Sequence, residues 1–171
     1  HGFIDRVDLG PSAADPRTVV VLDYKTGGMA KSALDEDPVV AGTKLQLPAY
    51  ARAAAQWLRD VKGVPDGRIT AEYWMVSARG KFERITTPDP ERAQQRFVDV
   101  VQIMDEGLRT GAFPQVPGGE SQRPGRSGWD NCLWCDFHRI CPTGRDQLAD
   151  RKRADPASAL HASLTLPGEG A

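Results

Sequence analysis

The chain has little that would tie it to a membrane, to an oxidising compartment or, through bulk charge, to a polyanion. No apolar run nears the roughly 18 residues that span a bilayer; the longest aliphatic stretch is Val19 to Leu22. The residues carry no signal-peptide pattern. Cysteine is scarce: there are 3 in 171 residues, all between Cys132 and Cys141. An odd, clustered set does not make a disulfide framework, and it points to a metal centre in a reducing compartment, expected to be the cytoplasm. An excess of one charge is lacking too. The 22 basic and 23 acidic side chains leave a net charge of −1, so a nucleic-acid partner would have to be met by a local patch. What remains, 40% hydrophobic and 26% charged residues, describes a soluble globular protein long enough for one domain and a small appendage.

The chain starts at His1, with Gly2 to Asp8 already reading as a strand, so it is expected to be a fragment lacking an upstream part of the domain. Phe3–Leu9 and Thr18–Leu22 read as two strands of a hairpin turning at Gly10-Pro11-Ser12, the second buried on both faces. Leu47, Tyr50, Ala51, Ala54, Trp57 and Leu58 recur at helical spacing, predicting a helix from Thr43 or Leu47 to Asp60. Ile69–Ala78 and Phe82–Thr87 read as a second strand pair with a two-residue turn at Arg79-Gly80. Asp89 and Pro90 open a second helix that Gly111 stops. The order β-β-α-β-β-α is an α/β sandwich. Residues 1–112 are expected to be the core. Residues 113–144 form a Gly/Pro-rich loop and Cys-rich segment, and 145–171 a short helix and frayed tail.

Asp23 and Lys25 lie two apart, hence on one face of their strand, where it leaves the apolar core. Asp5 lies on the neighbouring strand. Two carboxylates converging from paired strands suit magnesium or manganese, and the Tyr24 carbonyl lies close by as a possible further ligand. A lysine beside such a metal can help deprotonate an attacking water and offset charge on a phosphoryl transition state. The plain alternative is an exposed Asp23–Lys25 ion pair, with Asp5 paired to Arg6 or Arg17. Asp8 competes with Asp5, but the two face opposite sides of a regular strand.

Gly2-Phe3-Ile4-Asp5-Arg6-Val7-Asp8, then Val21-Leu22-Asp23-Tyr24-Lys25-Thr26-Gly27, then Gln46-Leu47-Pro48-Ala49-Tyr50 resembles the PD-(D/E)XK nuclease superfamily, in particular its RecB-like exonuclease branch. The resemblance implies a restriction-endonuclease-like core, a mixed β-sheet flanked by helices. It implies a metal-dependent DNA exonuclease in repair or recombination, working with a helicase subunit or domain. It assigns Asp5 and Asp23 to the metal, Lys25 to the water, and Gln46 and Tyr50 to a helix face over the site. The competing readings are a capping box at Thr43-x-x-Gln46 and a core role for Tyr50. The branch usually supplies a further metal ligand from an upstream helix, which this chain does not show. The alternative is therefore a catalytically inactive, nuclease-derived DNA-binding or structural module.

Cys132, Cys135 and Cys141 have C-x2-C-x5-C spacing, short enough to surround one centre. Within the branch this pattern resembles part of an iron-sulfur staple, implying a [4Fe-4S] cluster with a fourth cysteine from upstream. The alternative is zinc, with His138 as the fourth ligand. Arg6, Lys31, Lys44, Arg52, Arg79 and Lys81 are candidates for phosphate contacts. Trp74, Trp129 and Trp134 are candidates for base stacking, with core packing the alternative for Trp74.

Overall fold

A computed structural model describes residues 3–29, 31–122, 128–133, 135–142 and 144–165. The chain divides into two units, residues 1–101 and 102–171.

The first unit is built on a four-stranded mixed sheet in the order β1 (Arg6–Pro11), β2 (Pro16–Lys25), β3 (Arg68–Met75), β4 (Arg84–Thr86). β1 and β2 are the expected antiparallel hairpin, in register Arg6↔Leu22 through Leu9↔Val19. β1 begins later than the sequence suggests, so Phe3, Ile4 and Asp5 precede it. It also runs through Gly10-Pro11, and the turn falls on 12–15, where the Asp15 amide donates to Ser12 Oγ at 3.1 Å. β2 and β3 are parallel, in register Asp23↔Tyr73 and Lys25↔Met75. Parallel neighbours need a long crossover, here made by α1 (Lys31–Glu36) and α2 (Gln46–Lys62).

Composition explains α2. It is rich in alanine and long unbranched residues, and its last turn carries Arg59 and Lys62, which favour the negative helix end. Gly63, at φ 67°, closes it with its amide on the Leu58 carbonyl. The start departs from expectation. The residue before α2 is Leu45, with no side-chain cap, and Thr43 Oγ1 donates to the Val40 carbonyl instead of joining a capping box. Gln46 is thereby left for other partners.

Val19 and Val21 pack with Ala54 and Leu58, so the odd-numbered face of β2 is the one that meets α2. Leu22 on the opposite face is fully buried as well, as its aliphatic run implied. Leu34 of α1 closes a second cluster with Leu47, Tyr73, Met75 and Ile85.

The connection between β3 and β4 is not a two-residue turn. A 3-10 turn at Ala78–Gly80 intervenes, and Lys81 and Phe82 adopt left-handed backbone conformations. The reason lies at Gly80, where a β-carbon would stand 2.6 Å from Met75 Cβ and 2.9 Å from the Gly27 carbonyl. The loop is pressed against the end of β2, and only glycine fits there.

α3 (Pro90–Thr110) starts as expected, with Asp89 Oδ1 accepting the Arg92 amide at 2.9 Å. Its first half is tied to α1 and α2: Arg92 Nη2 donates to the Glu36 carbonyl and Gln94 Nε2 to the Pro48 carbonyl. Ala93 and Val100 are buried.

The second unit holds the end of α3, stopped at Gly111 with φ 68°, a bridge between Glu120 and Trp129, a 3-10 turn Asp136–Arg139, α4 (Arg145–Lys152) and α5 (Pro156–Thr165). α5 occupies part of the stretch expected to fray. The Pro167-Gly168-Glu169-Gly170 tail lies outside the described residues. Among the described residues no helix is long and apolar enough to cross a membrane.

Candidate active site

The site forms where β2 runs out of its aliphatic core. Asp23 is 4% exposed, because it still lies on the face covered by α2. Lys25, one pleat further, is a third exposed and brings Nζ to 2.5 Å from Asp23 Oδ2. The pair expected from the spacing therefore exists, but its acidic member is buried. Asp23 Oδ2 is also a buried oxygen that no donor reaches with hydrogen-bond directionality, the lysine included. Lys25 spends a hydrogen bond elsewhere, donating from Nζ to Gln46 Oε1 at 2.7 Å. Gln46 can accept it because α2 starts there uncapped, on the same side of the sheet.

Asp5 is held beside this pair by the backbone. Its Oδ2 accepts the amide of Tyr24, the residue between Asp23 and Lys25, at 2.8 Å. Neither arginine considered as its partner takes it: Arg6 Nε bonds Asp8 Oδ1 at 2.8 Å and Arg17 pairs with Asp15. Asp8 sits within β1 opposite Val20, away from the end of β2. Tyr50, half-buried in α2, donates from its hydroxyl to the Phe3 carbonyl at 2.8 Å, pinning the segment that carries Asp5. Asp5, Asp23, Lys25 and Gln46 are thus brought together, and Tyr50 acts on them through the backbone.

Tyr73 was not foreseen. Parallel pairing sets it opposite Asp23, its ring centroid lies 5.3 Å from Lys25 Nζ, and it is 1% exposed. Its hydroxyl is buried without a hydrogen-bond partner. Burial pushes the phenol up to about 12, with the Asp23 charge and Tyr50 adding to the effect. The Leu47 amide pulls the other way, but falls short of a hydrogen bond. Only the parallel register of β3 could have exposed this neighbour, and the sequence does not print a register.

The donor set at the end of β2 suits a hard divalent cation: two carboxylates, one with a buried oxygen awaiting a directed partner. Asp5 and Asp23 would hold the ion, with the Tyr24 peptide between them. A concavity of about 880 Å³ lies between α2, β3, β4 and the start of α3, and none of these residues lines it. The charged side chains mark the site better than the hollow does.

The cysteines behave differently. Cys132, Cys135 and Cys141 are each half-buried and lie in a turn where the Cys135 amide donates to the Cys132 carbonyl and the Cys141 amide to the Phe137 carbonyl. Among the described residues no three His, Cys, Asp or Glu side chains are gathered to hold a metal. The side chain of His138, and Trp134 entirely, lie outside the described residues.

Of the candidate phosphate contacts, Arg6, Lys31, Arg52, Arg79 and Lys81 are exposed and Lys44 is half-buried. Trp74 packs between guanidinium groups, with Arg84 at 4.9 Å and Arg6 at 5.9 Å from its ring, and donates to the buried Glu72 at 2.7 Å. Its packing is largely spoken for within the fold. Trp129 is half-buried and pairs through its backbone with Glu120.

A mixed sheet with flanking helices, whose central strand ends in Asp-x-Lys facing a second carboxylate and a helix-borne glutamine, is the framework of a restriction-endonuclease-like nuclease core. The family model for the PD-(D/E)XK nuclease superfamily matches residues 1–142, and the chain belongs to that superfamily. Comparison with curated proteins and with solved structures gave no match.

Proposed function

We propose that the chain is a metal-dependent deoxyribonuclease of the RecB-like exonuclease type, acting in DNA repair or recombination in the cytoplasm, with a helicase as partner. The observation that carries the reading is Lys25 Nζ held at once by Asp23 at 2.5 Å and Gln46 at 2.7 Å, with Asp5 fastened to the intervening Tyr24 amide. That arrangement fixes a cationic nitrogen beside two carboxylates, and a surface ion pair would need neither Gln46 nor Asp5.

In this reading Asp5 and Asp23 bind magnesium or manganese. When bound, the ion supplies charge that polarises a phosphoryl oxygen and acidifies water. Lys25 orients the attacking water and faces the negative charge that grows on the phosphorus oxygens, so it acts chiefly in the transition state. Gln46 keeps Lys25 from swinging into solvent. Tyr50 keeps the Asp5 segment against α2. C-x2-C-x5-C spacing supports a [4Fe-4S] centre as the occupant of the C-terminal segment, with zinc and His138 the competing assignment.

The test is cleavage of end-labelled linear DNA, single- and double-stranded, beside a closed circle of the same sequence, with magnesium, manganese or EDTA. Metal-dependent loss of the linear forms with the circle intact is the expected result. Cutting of the circle makes the enzyme an endonuclease. Tight DNA binding with no cleavage in either metal makes the chain an inactive, nuclease-derived binding module.

A further inference from the structure

We infer that Tyr73 is a positioning residue for the reaction, its ring face holding the Lys25 amine over the end of β2. The inference rests on the nuclease reading above and adds a residue that lies outside the motifs carrying it.

Three observations support the assignment. Lys25 is tethered from two sides, by its ion pair with Asp23 and its hydrogen bond to Gln46, and the Tyr73 ring, 5.3 Å from Nζ, supplies a third support. A lysine within about 6 Å of an aromatic face is attracted to the ring quadrupole, and the attraction strengthens when water is kept out. Tyr73 is 1% exposed, so water is kept from the ring, while Lys25 itself stays a third exposed.

The ring is also rigidly placed. β3 pairs it with Asp23 in the parallel register, and Leu34, Leu47, Met75 and Ile85 pack around it. The hydroxyl, by contrast, makes no hydrogen bond and is buried. An unpaired buried hydroxyl is a burden on stability, so hydrogen bonding by that hydroxyl does not account for tyrosine at this place. The face of the ring is what meets the site. Lys25 is thus held by two neighbours besides Asp23, Gln46 through its amide oxygen and Tyr73 through its π-cloud.

The experiment replaces Tyr73 in the full chain with phenylalanine, and with phenylalanine carrying one or three ring fluorines, which drain the ring quadrupole while keeping its shape. Cleavage kinetics and thermal melting are measured on all four proteins. Tyr73→Phe should keep kcat within about 3-fold of wild type and melt at or above it, since the unpaired hydroxyl is gone. Progressive fluorination should lower kcat stepwise, to about 10-fold below Tyr73→Phe in the trifluoro form. KM should hold within about 2-fold across the series, because a positioning effect felt in the transition state does not touch substrate binding.

A series flat in kcat overturns the inference, as does a fall in kcat that merely tracks the melting temperature. Wild-type chain that fails to cleave, or Asp23→Asn that cleaves as well as wild type, overturns the nuclease reading and the inference with it. Wild-type cleavage with a flat series overturns the inference alone.

Discussion

Removing Lys25 and removing the charge of Asp23 should have unequal effects on stability, although both should stop cleavage. The asymmetry follows from burial: the Asp23 side chain is 6% exposed and that of Lys25 34%. Lys25→Ala leaves a carboxylate shut away from water, with one oxygen that already lacked a directed hydrogen bond. Stripping one partner from a fully buried pair costs about 3–5 kcal/mol, and an exposed pair contributes less than about 1 kcal/mol. A lysine at the rim falls between, at about 2 kcal/mol. Asp23→Asn instead removes the buried charge and leaves Lys25 its bond to Gln46 and a path to solvent, for a loss below about 1 kcal/mol. Urea unfolding at neutral pH in EDTA measures the difference directly. Added magnesium should then return part of the lost stability to Lys25→Ala, whose Asp5 and Asp23 remain, and little to Asp23→Asn. Cleavage should fall about 100-fold or more in both. Equal stability of the two variants would refute the burial argument, and wild-type cleavage by Lys25→Ala would reduce Lys25 to a surface partner of Asp23.

Asp5→Asn should weaken magnesium binding and cleavage, whereas Asp8→Asn should lose only the contribution of the exposed Arg6 pair, under about 1 kcal/mol; calorimetric metal titration of both decides it, and metal loss in the Asp8 variant would contradict the observed register. Tyr73, raised in the fold to about 12 from 10.0, stabilises the protein in its neutral form, fully so below pH 10 and progressively less as pH rises to 12. Denaturation across that window should show a steeper alkaline loss in wild type than in Tyr73→Phe. Metal analysis of the full-length parent prepared without oxygen should find iron and sulfide, reduced by Cys141→Ser, whereas this chain alone should retain the cluster poorly or bind zinc; one zinc and no iron in the full-length parent would assign the segment to a Cys3His site instead.

The elements with strong local signals were legible in the sequence. The β1–β2 hairpin and the alanine-rich α2 follow from local chemistry, though the hairpin turns at 12–15 and α2 starts without a cap, and the Asp89-Pro90 start and Gly111 stop of α3 fall where that chemistry puts them. The meeting of Asp23 with Lys25 was legible because a strand has period two. What the chain hid was set by partners far away. Asp5 proved to precede β1, because its carboxylate takes a backbone amide that would otherwise need a strand. The loop at Ala78–Gly80 grew beyond a tight turn because Gly80 packs on Gly27 and Met75, contacts that no dipeptide preference encodes. α1 is short and weakly patterned, and only burial of Leu34 makes it visible. Tyr73 joined the site through the parallel pairing of β2 with β3, and single-strand patterns contain no information on pairing.

That parallel pairing also sets when the protein can acquire its chemistry. Two of the bonds that assemble the site join residues 21 and 47 positions apart, and the strand that brings Tyr73 to Asp23 arrives only after the whole α1–α2 crossover has been laid down. Such contacts are reached late, since each requires a long loop to close before it gives anything in return. The β1–β2 hairpin can form early and on its own, yet it carries Asp5, Asp23 and Lys25 without the neighbours that aim them. In the proposed nuclease, a nascent chain would therefore hold its acidic and basic groups without the neighbours that aim them until the crossover docks.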